Sequence, residues 1–506
     1  MIRLRYGTLL CLGALLLTAQ ELQNYEGKVT EFTLANGLHF ILLERRQVPV
    51  VSFSTYVNAG SAEDPAGQSG MAHLMERLAF SGSDTIGTRN WTAEKKALDD
   101  VDAAYDRLAQ ESNKGARSDA GRIAAIQADA SLARAAARGQ RNPNEFLQAF
   151  QENGAVDVSC HATPDAIETS YSLPSNRIEL WFLLESQRLS HPVFRNFYTE
   201  RENTWNDMAN TVESNPADKL RQTLLATAFE ALPYRHPLLG WPSDIVNLRR
   251  ADAQAFFDTY FVPANMVIAI VGDVDPGNAR LLAERYFGPI PAKPLPPLMH
   301  TEEPQQYGPK SAAIWTGGQS LLMIAYKRPG ETQRDDAALD AIRTILGEGR
   351  TGWIYKDLVE EKRIAQGTEI MASFPASRYV NLFVFSVVPA AGHTVEENRK
   401  ALDDLLVRFQ SKPVDAETLA RAKNVNRGHI LRVLGSNQEL AALLPFYSVN
   451  YGDWRRLFTA ASQVNRLTAE DLQRVALQYF VPGNRTEAYM MPMPQGAAAS
   501  SPGGRP

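Results

Sequence analysis

A chain of 506 residues is too long for one ordinary domain and reads as two or more. Apolar residues make up 44% and charged residues 22%, the balance of a soluble globular protein, and a net charge of −5 leaves no basic surplus for nucleic acid. Beyond Cys11 the only cysteine is Cys160, so a processed chain has no internal disulfide and depends on a large core.

In chain order, Arg3 and Arg5 precede an apolar run from Thr8 to Ala19. That run is too short to span a bilayer, which needs roughly 20 helical residues. A basic start, a short apolar centre and small residues near Ala19 read as a secretion signal over residues 1–20, with an uncleaved anchor as the rival. The mature chain is then expected in the periplasm or outside the cell. Asn36-Gly37 between two alternating runs, Val29–Leu34 and Leu38–Leu43, reads as a hairpin turn, and Val50–Val57 as another strand. Helices are expected from Met71 and over 176–190. Residues 91–150 are rich in Ala, Asp, Lys, Arg and Gln, break at Lys114-Gly115, and read as an inserted, charged helical hairpin. A helix over Asp252–Thr259 and a strand over Met266–Val271 follow. The proline-dense stretch from Gly288 to Pro297 starts a stiff linker over 288–312. Beyond it, Leu321–Tyr326 and Val380–Val388 read as strands, and Asp335–Leu346, Glu396–Phe409 and Thr468–Gln478 as helices. Residues 492–506 are mostly Pro, Ala, Ser and Gly and read as a disordered tail.

One hexapeptide recurs: Tyr260 to Asn265 and Tyr479 to Asn484 differ at one residue and lie 219 positions apart. Each copy follows a helical pattern and precedes a β-prone run, Met266–Val271 or the weaker Thr486–Met490. Ser214-Asn215 and Ser436-Asn437 form a second echo between helical stretches, 222 positions apart. The expected fold class is therefore α+β, with two homologous domains over 21–287 and 313–491, each a mainly antiparallel sheet packed with helices.

His73, Glu76 and Arg77 stand at i, i+3 and i+4, so one helical face presents all three. Spacing alone is a weak signal, because a single His on an apolar helix is more often a core residue. The surroundings sharpen it. Residues 57–64 and 80–83 frame that helix. Asn153 to Val156, Asp165, residues 171–174, 197–201, 212–216, 236–244 and 346–362 form further recognisable blocks. On these blocks the chain resembles the insulinase/pitrilysin (inverzincin) family of zinc metallopeptidases, over about residues 28–490 outside the hairpin. It is similar to the bacterial two-domain, processing-peptidase-like members. In that family two His of an H-x-x-E-H helix bind zinc and the Glu is the base that activates water.

The departures from the family are specific. The second His is Arg77, giving H-x-x-E-R, and the third-ligand position, usually Glu, falls on Asp207. The edge strand that pairs with substrate in the family corresponds to Ser159, Cys160, His161 and Ala162. Positions where some members place an Arg and a Tyr for substrate carbonyls hold Val359 and Gln366. Arginine stays protonated and offers only donors, so it cannot ligate zinc. The remaining ligand set is His73 and Asp207, with His161 as a possible third, and Glu76 as an actual or vestigial base. The guanidinium is expected near the old metal position, paired with Asp207 or Glu76.

The resemblance then implies an exported homologue, impaired in catalysis, that serves as the non-catalytic or peptide-binding subunit of a zinc peptidase complex. Its partner would be a homologous subunit with an intact H-x-x-E-H, or a second copy. Zinc, the family's cofactor, is expected to be absent or weakly held. Two alternatives are an active zinc metalloendopeptidase for small unfolded peptides and a structural cell-envelope binding protein that keeps only the fold.

Overall fold

The computed structural model describes residues 25–316 and 319–492. The expected signal segment, and the tail from residue 493, lie outside the described residues. The chain forms two α+β units, each with its own sheet. Among the described residues the first unit comprises 25–206, 238–299 and 431–459; the second comprises 207–237, 300–316, 319–430 and 460–492.

With strands numbered in chain order, the first sheet runs β1 (Val29–Thr33), β2 (His39–Glu44), β6 (Met266–Gly272), β3 (Val50–Val57), β5 (Ile167–Pro174), β4 (Val156–Ala162). All neighbours are antiparallel except β2 and β6. The expected hairpin is there, and Gly37 takes φ +94° in its turn. Strand β6 reads as an unbroken apolar run because it is buried on both faces. On one face Phe53 stacks on Trp181 at 4.3 Å. The opposite face is covered by the helix Asn437–Tyr451, whose Asn450 donates to the Tyr56 hydroxyl at 3.2 Å.

In the second unit the order is β7 (Lys310–Thr316), β11 (Arg485–Pro492), β8 (Leu322–Arg328), β10 (Asn381–Pro389), β9 (Ala365–Phe374). Only β7 and β11 are parallel. Helix Pro216–Ala228, from the first half of the chain, packs on β11 and β7 and buries Leu220, Leu224, Leu225 and Ala228. Each half of the sequence thus supplies a helix to the other half's sheet. The second repeat echo marks these two helices. Asn215 caps the first by accepting from the Ala217 amide at 3.0 Å, and Ser436 caps the second by accepting from Glu439 at 3.2 Å. The hexapeptide repeat also folds alike in both copies. Asn265 donates to the Tyr260 carbonyl at 2.9 Å and Asn484 to the Tyr479 carbonyl at 3.3 Å, closing each helix end before its strand.

The inserted hairpin is present as helices Trp91–Ser112 and Ala120–Gly139. Fully buried Glu94 on its first helix pairs with Arg195, which also donates to the carbonyls of Ser81, Ser83 and Ile86. Tyr105 of the hairpin stacks on Tyr198 with ring centres 3.6 Å apart. Among the described residues no helix is long and apolar enough to cross a membrane.

Candidate active site

The helix Met71–Leu78 presents the sequence motif, and its start is held by backbone contacts that demand glycine. Gly70 has φ +89° and Gly240 φ +83°. A Cβ on Gly240 would lie 2.4 Å from the Ser69 carbonyl oxygen, and one on Gly70 would lie 2.8 Å from that of Leu239. Asp64 accepts from the amides of Gly70 and Ala72 at 2.8 and 2.9 Å, capping the start of the helix, while burial outweighs these bonds and pushes its carboxyl up to about 8. The Ser69 hydroxyl donates to Asp244 at 2.6 Å and accepts from the Trp241 amide at 2.9 Å. The block ending at Asp244 is therefore the buttress under the helix. Its glycine could be noticed in the sequence, but its partner could not.

Met71, Ala72, Leu74, Met75 and Leu78 are buried in the core, which leaves His73, Glu76 and Arg77 half-buried on the other face. His73 Nδ1 lies 3.3 Å from Glu76 Oε2, and the same oxygen accepts from the Ala162 amide at 2.9 Å. Burial pushes the Glu76 carboxyl up. His73 and the Ala162 amide, with His161 further off, outweigh it and hold the group below its usual range.

Ala162 ends β4, which among the described residues has β5 as its only neighbour in the sheet, so β4 is an edge there. Cys160 and Ala162 point into the core, while His161 is exposed. His161 stands opposite Glu168, which accepts from the Ser54 hydroxyl at 2.7 Å. The Cys160 thiol is pushed up to about 12 by burial and accepts from Thr169 at 3.6 Å, so it is neither nucleophile nor ligand at neutral pH.

Arg77 donates from Nε to Glu200 Oε2 at 2.9 Å. The sequence expectation paired this guanidinium with Asp207 or Glu76 and did not include Glu200. It sits on helix Phe197–Met208, where the seven-residue spacing puts it and Asp207 on one face two turns apart. That spacing was the available signal. In the second unit, Gln366 accepts from Gln319 at 2.7 Å, side chain to side chain.

A family profile described as "Insulinase (Peptidase family M16)" matches residues 40–108, and one described as "Peptidase M16 inactive domain" matches 247–426. The zinc protease PqqE of Helicobacter pylori is 25% identical over 489 residues, covering 96% of both chains. The chain belongs to the insulinase/pitrilysin family. A probable mitochondrial-processing peptidase subunit beta of Arabidopsis thaliana is 22% identical, over 90% of this chain and 76% of that one. Two solved structures share the fold. A protease from H. pylori has a TM-score of 0.77 at 21% identity, covering 92% of this chain and all of its own. The periplasmic protease PqqL from Escherichia coli has a TM-score of 0.67 at 14% identity, covering 92% of this chain and 47% of its own.

Within the insulinase/pitrilysin family, the profile called inactive lies on the second half and says nothing of His73 to Arg77, which the other profile spans. The chemistry of the motif face decides more. A three-ligand zinc centre needs three lone pairs, and the i+4 position here carries a donor-only cation bound to a carboxylate. Among the described residues no three His, Cys, Asp or Glu side chains converge into a metal cluster. The donors of this face do not fit the zinc of an H-x-x-E-H site.

Proposed function

We propose that this chain is an exported, non-catalytic or peptide-binding subunit of a zinc peptidase complex. The observation that carries the reading is the Arg77–Glu200 ion pair on the motif face. A guanidinium placed there balances the carboxylates that a metal ion balances in an H-x-x-E-H site. In this reading Glu76, held below its usual range by His73 and the Ala162 amide, has no metal-bound water to deprotonate. Peptide binding remains open to the chain, because an extended segment can add to the free edge of β4 along Ser159, Cys160, His161 and Ala162. The partner is a homologous subunit with an intact H-x-x-E-H, or a second copy. The subunit naming of the mitochondrial-processing relative supports partnering, and the periplasmic neighbour supports export.

The test is cleavage of short fluorogenic peptides by the chain alone and mixed with such a homologue. The proposal expects no chelator-sensitive turnover alone, and turnover by the mixture above that of the homologue by itself. Chelator-sensitive cleavage by the purified chain, lost in Glu76→Gln, would overturn it.

One observation favours a second reading, an active zinc metalloendopeptidase: Glu76 is kept ionised against the very edge where substrate would lie. In that reading His73, Asp207 and His161 are the ligands and Glu76 is the base.

A further inference from the structure

The regular edge of β4 is short, and both of its ends are closed. Toward its start, three residue steps on β4, from Val156 to Ser159, oppose two on β5, from Ser172 to Ser170. The extra residue makes a bulge, and Asp157 within it takes φ +54°. A bulge of this kind ends regular pairing on an edge. Toward its finish, the turn Ser61–Glu63 takes up the next carbonyls. The Ser61 amide donates to Thr163 at 3.1 Å and the Ala62 amide to Pro164 at 3.0 Å. The approach is so close that a Cβ on Gly60 would lie 2.2 Å from the Thr163 oxygen. An added strand can therefore pair only along Ser159, Cys160, His161 and Ala162.

In an antiparallel pair, successive residues alternately exchange both backbone bonds with the partner strand and turn them away from it. The Thr163 amide donates to Ala166 at 2.8 Å, on the β5 side. The alternation then turns the backbone groups of Ala162 and Cys160 to the free side. The Ala162 amide agrees, because it meets Glu76 Oε2 at 2.9 Å. Of the four groups on the free side, the Cys160 amide and carbonyl and the Ala162 carbonyl face an incoming strand directly. The Ala162 amide is reached only once Glu76 withdraws. Its bond to a carboxylate is charge-assisted, and stronger than the one a neutral peptide carbonyl would make in its place. On withdrawing, the same Glu76 oxygen keeps His73 Nδ1 within reach, 3.3 Å away.

We propose that Glu76 gates the β4 edge: its carboxylate occupies the Ala162 amide in the resting chain and yields it when an extended peptide pairs with the strand. The gate rests on the peptide-binding function proposed above and adds its regulation. It gives the motif glutamate a task in binding, as the group that competes with the peptide backbone for one of two outward amides.

The test is calorimetric titration of the full chain, with EDTA present so that no zinc takes part. The probe is a hexapeptide of alternating threonine and valine, acetylated and amidated so that it carries no charge. Saturable binding to wild type is expected, tightened about five- to tenfold in Glu76→Ala, where the Ala162 amide is left to the peptide. Glu76→Gln, whose neutral oxygen competes less well than a carboxylate, should fall between the two, and it carries the test if Glu76→Ala fails to fold. The same peptide N-methylated at every residue should lose its binding to all three proteins, because the contact is backbone to backbone. Equal affinity in the three proteins, or weaker binding in the variants, overturns the gate and leaves peptide binding standing. No saturable binding by any of them, or binding that survives N-methylation, overturns both.

Discussion

Of the arginine–glutamate pairs in the first unit, Arg188–Glu185 and Arg77–Glu200 make the sharpest contrast, one that separates architecture from function. Arg188 and Glu185 are one turn apart on helix Ile178–Ser190, with side chains 5% and 0% exposed. Glu185 accepts from both sides of the guanidinium, at 2.8 and 2.5 Å, and also from the hydroxyls of Thr55 at 2.6 Å and Tyr171 at 2.8 Å. This is a dry pair with its hydrogen bonds complete, woven into the core beneath β3 and β5. Arg77 and Glu200 come from two different helices and are 28% and 20% exposed. A pair with that much water contributes little to stability. Stability therefore does not explain an arginine at that position. In the proposed function, the charge it brings to the motif face does.

Breaking the buried pair gives the largest expected effect. Arg188→Met leaves a carboxylate buried without its cation and should destabilise the chain by about 3–5 kcal/mol in urea melts. Next is the buttress of the motif helix. Gly240→Ala combines a positive φ with a backbone clash and should cost about 1–3 kcal/mol. The acid limb of stability is a subtler probe. Burial raises the Glu185 carboxyl, but Arg188, Thr55 and Tyr171 outweigh burial and hold it below its ordinary value. A carboxyl lowered in the folded state stabilises above its unfolded pKa and loses that contribution as pH falls through the folded one. The melting temperature should therefore drop on acidification below the ordinary glutamate range, and Glu185→Gln should show a shallower drop. The smallest effect is expected for Arg77→Met, within about 1 kcal/mol of wild type. A loss as large as that of Arg188→Met would erase the contrast between the two pairs.

Local signals in the sequence carried far into the fold. The Asn-Gly hairpin, strand β3, the inserted hairpin and the repeated hexapeptide all rest on contacts within a few residues, such as Asn265 closing its helix on Tyr260. The exchange of helices Pro216–Ala228 and Asn437–Tyr451 between the halves was not legible. An apolar stripe such as Leu440, Ala441 and Leu444 says that a helix buries one face, not which sheet receives it. The site divides in the same way. His73, Glu76 and Arg77 share a face by spacing alone. The Ala162 amide on Glu76 and the Glu200 carboxylate on Arg77 are contacts across 86 and 123 residues, which no local pattern encodes.

The central claim is that a fixed positive charge stands where a zinc ligand would be. It is tested most directly by the zinc content of purified, metal-equilibrated protein, wild type beside Arg77→His. The account expects well under one zinc per wild-type chain and a marked rise in the variant. One tightly held zinc per wild-type chain, lost on substitution of His73, would contradict it.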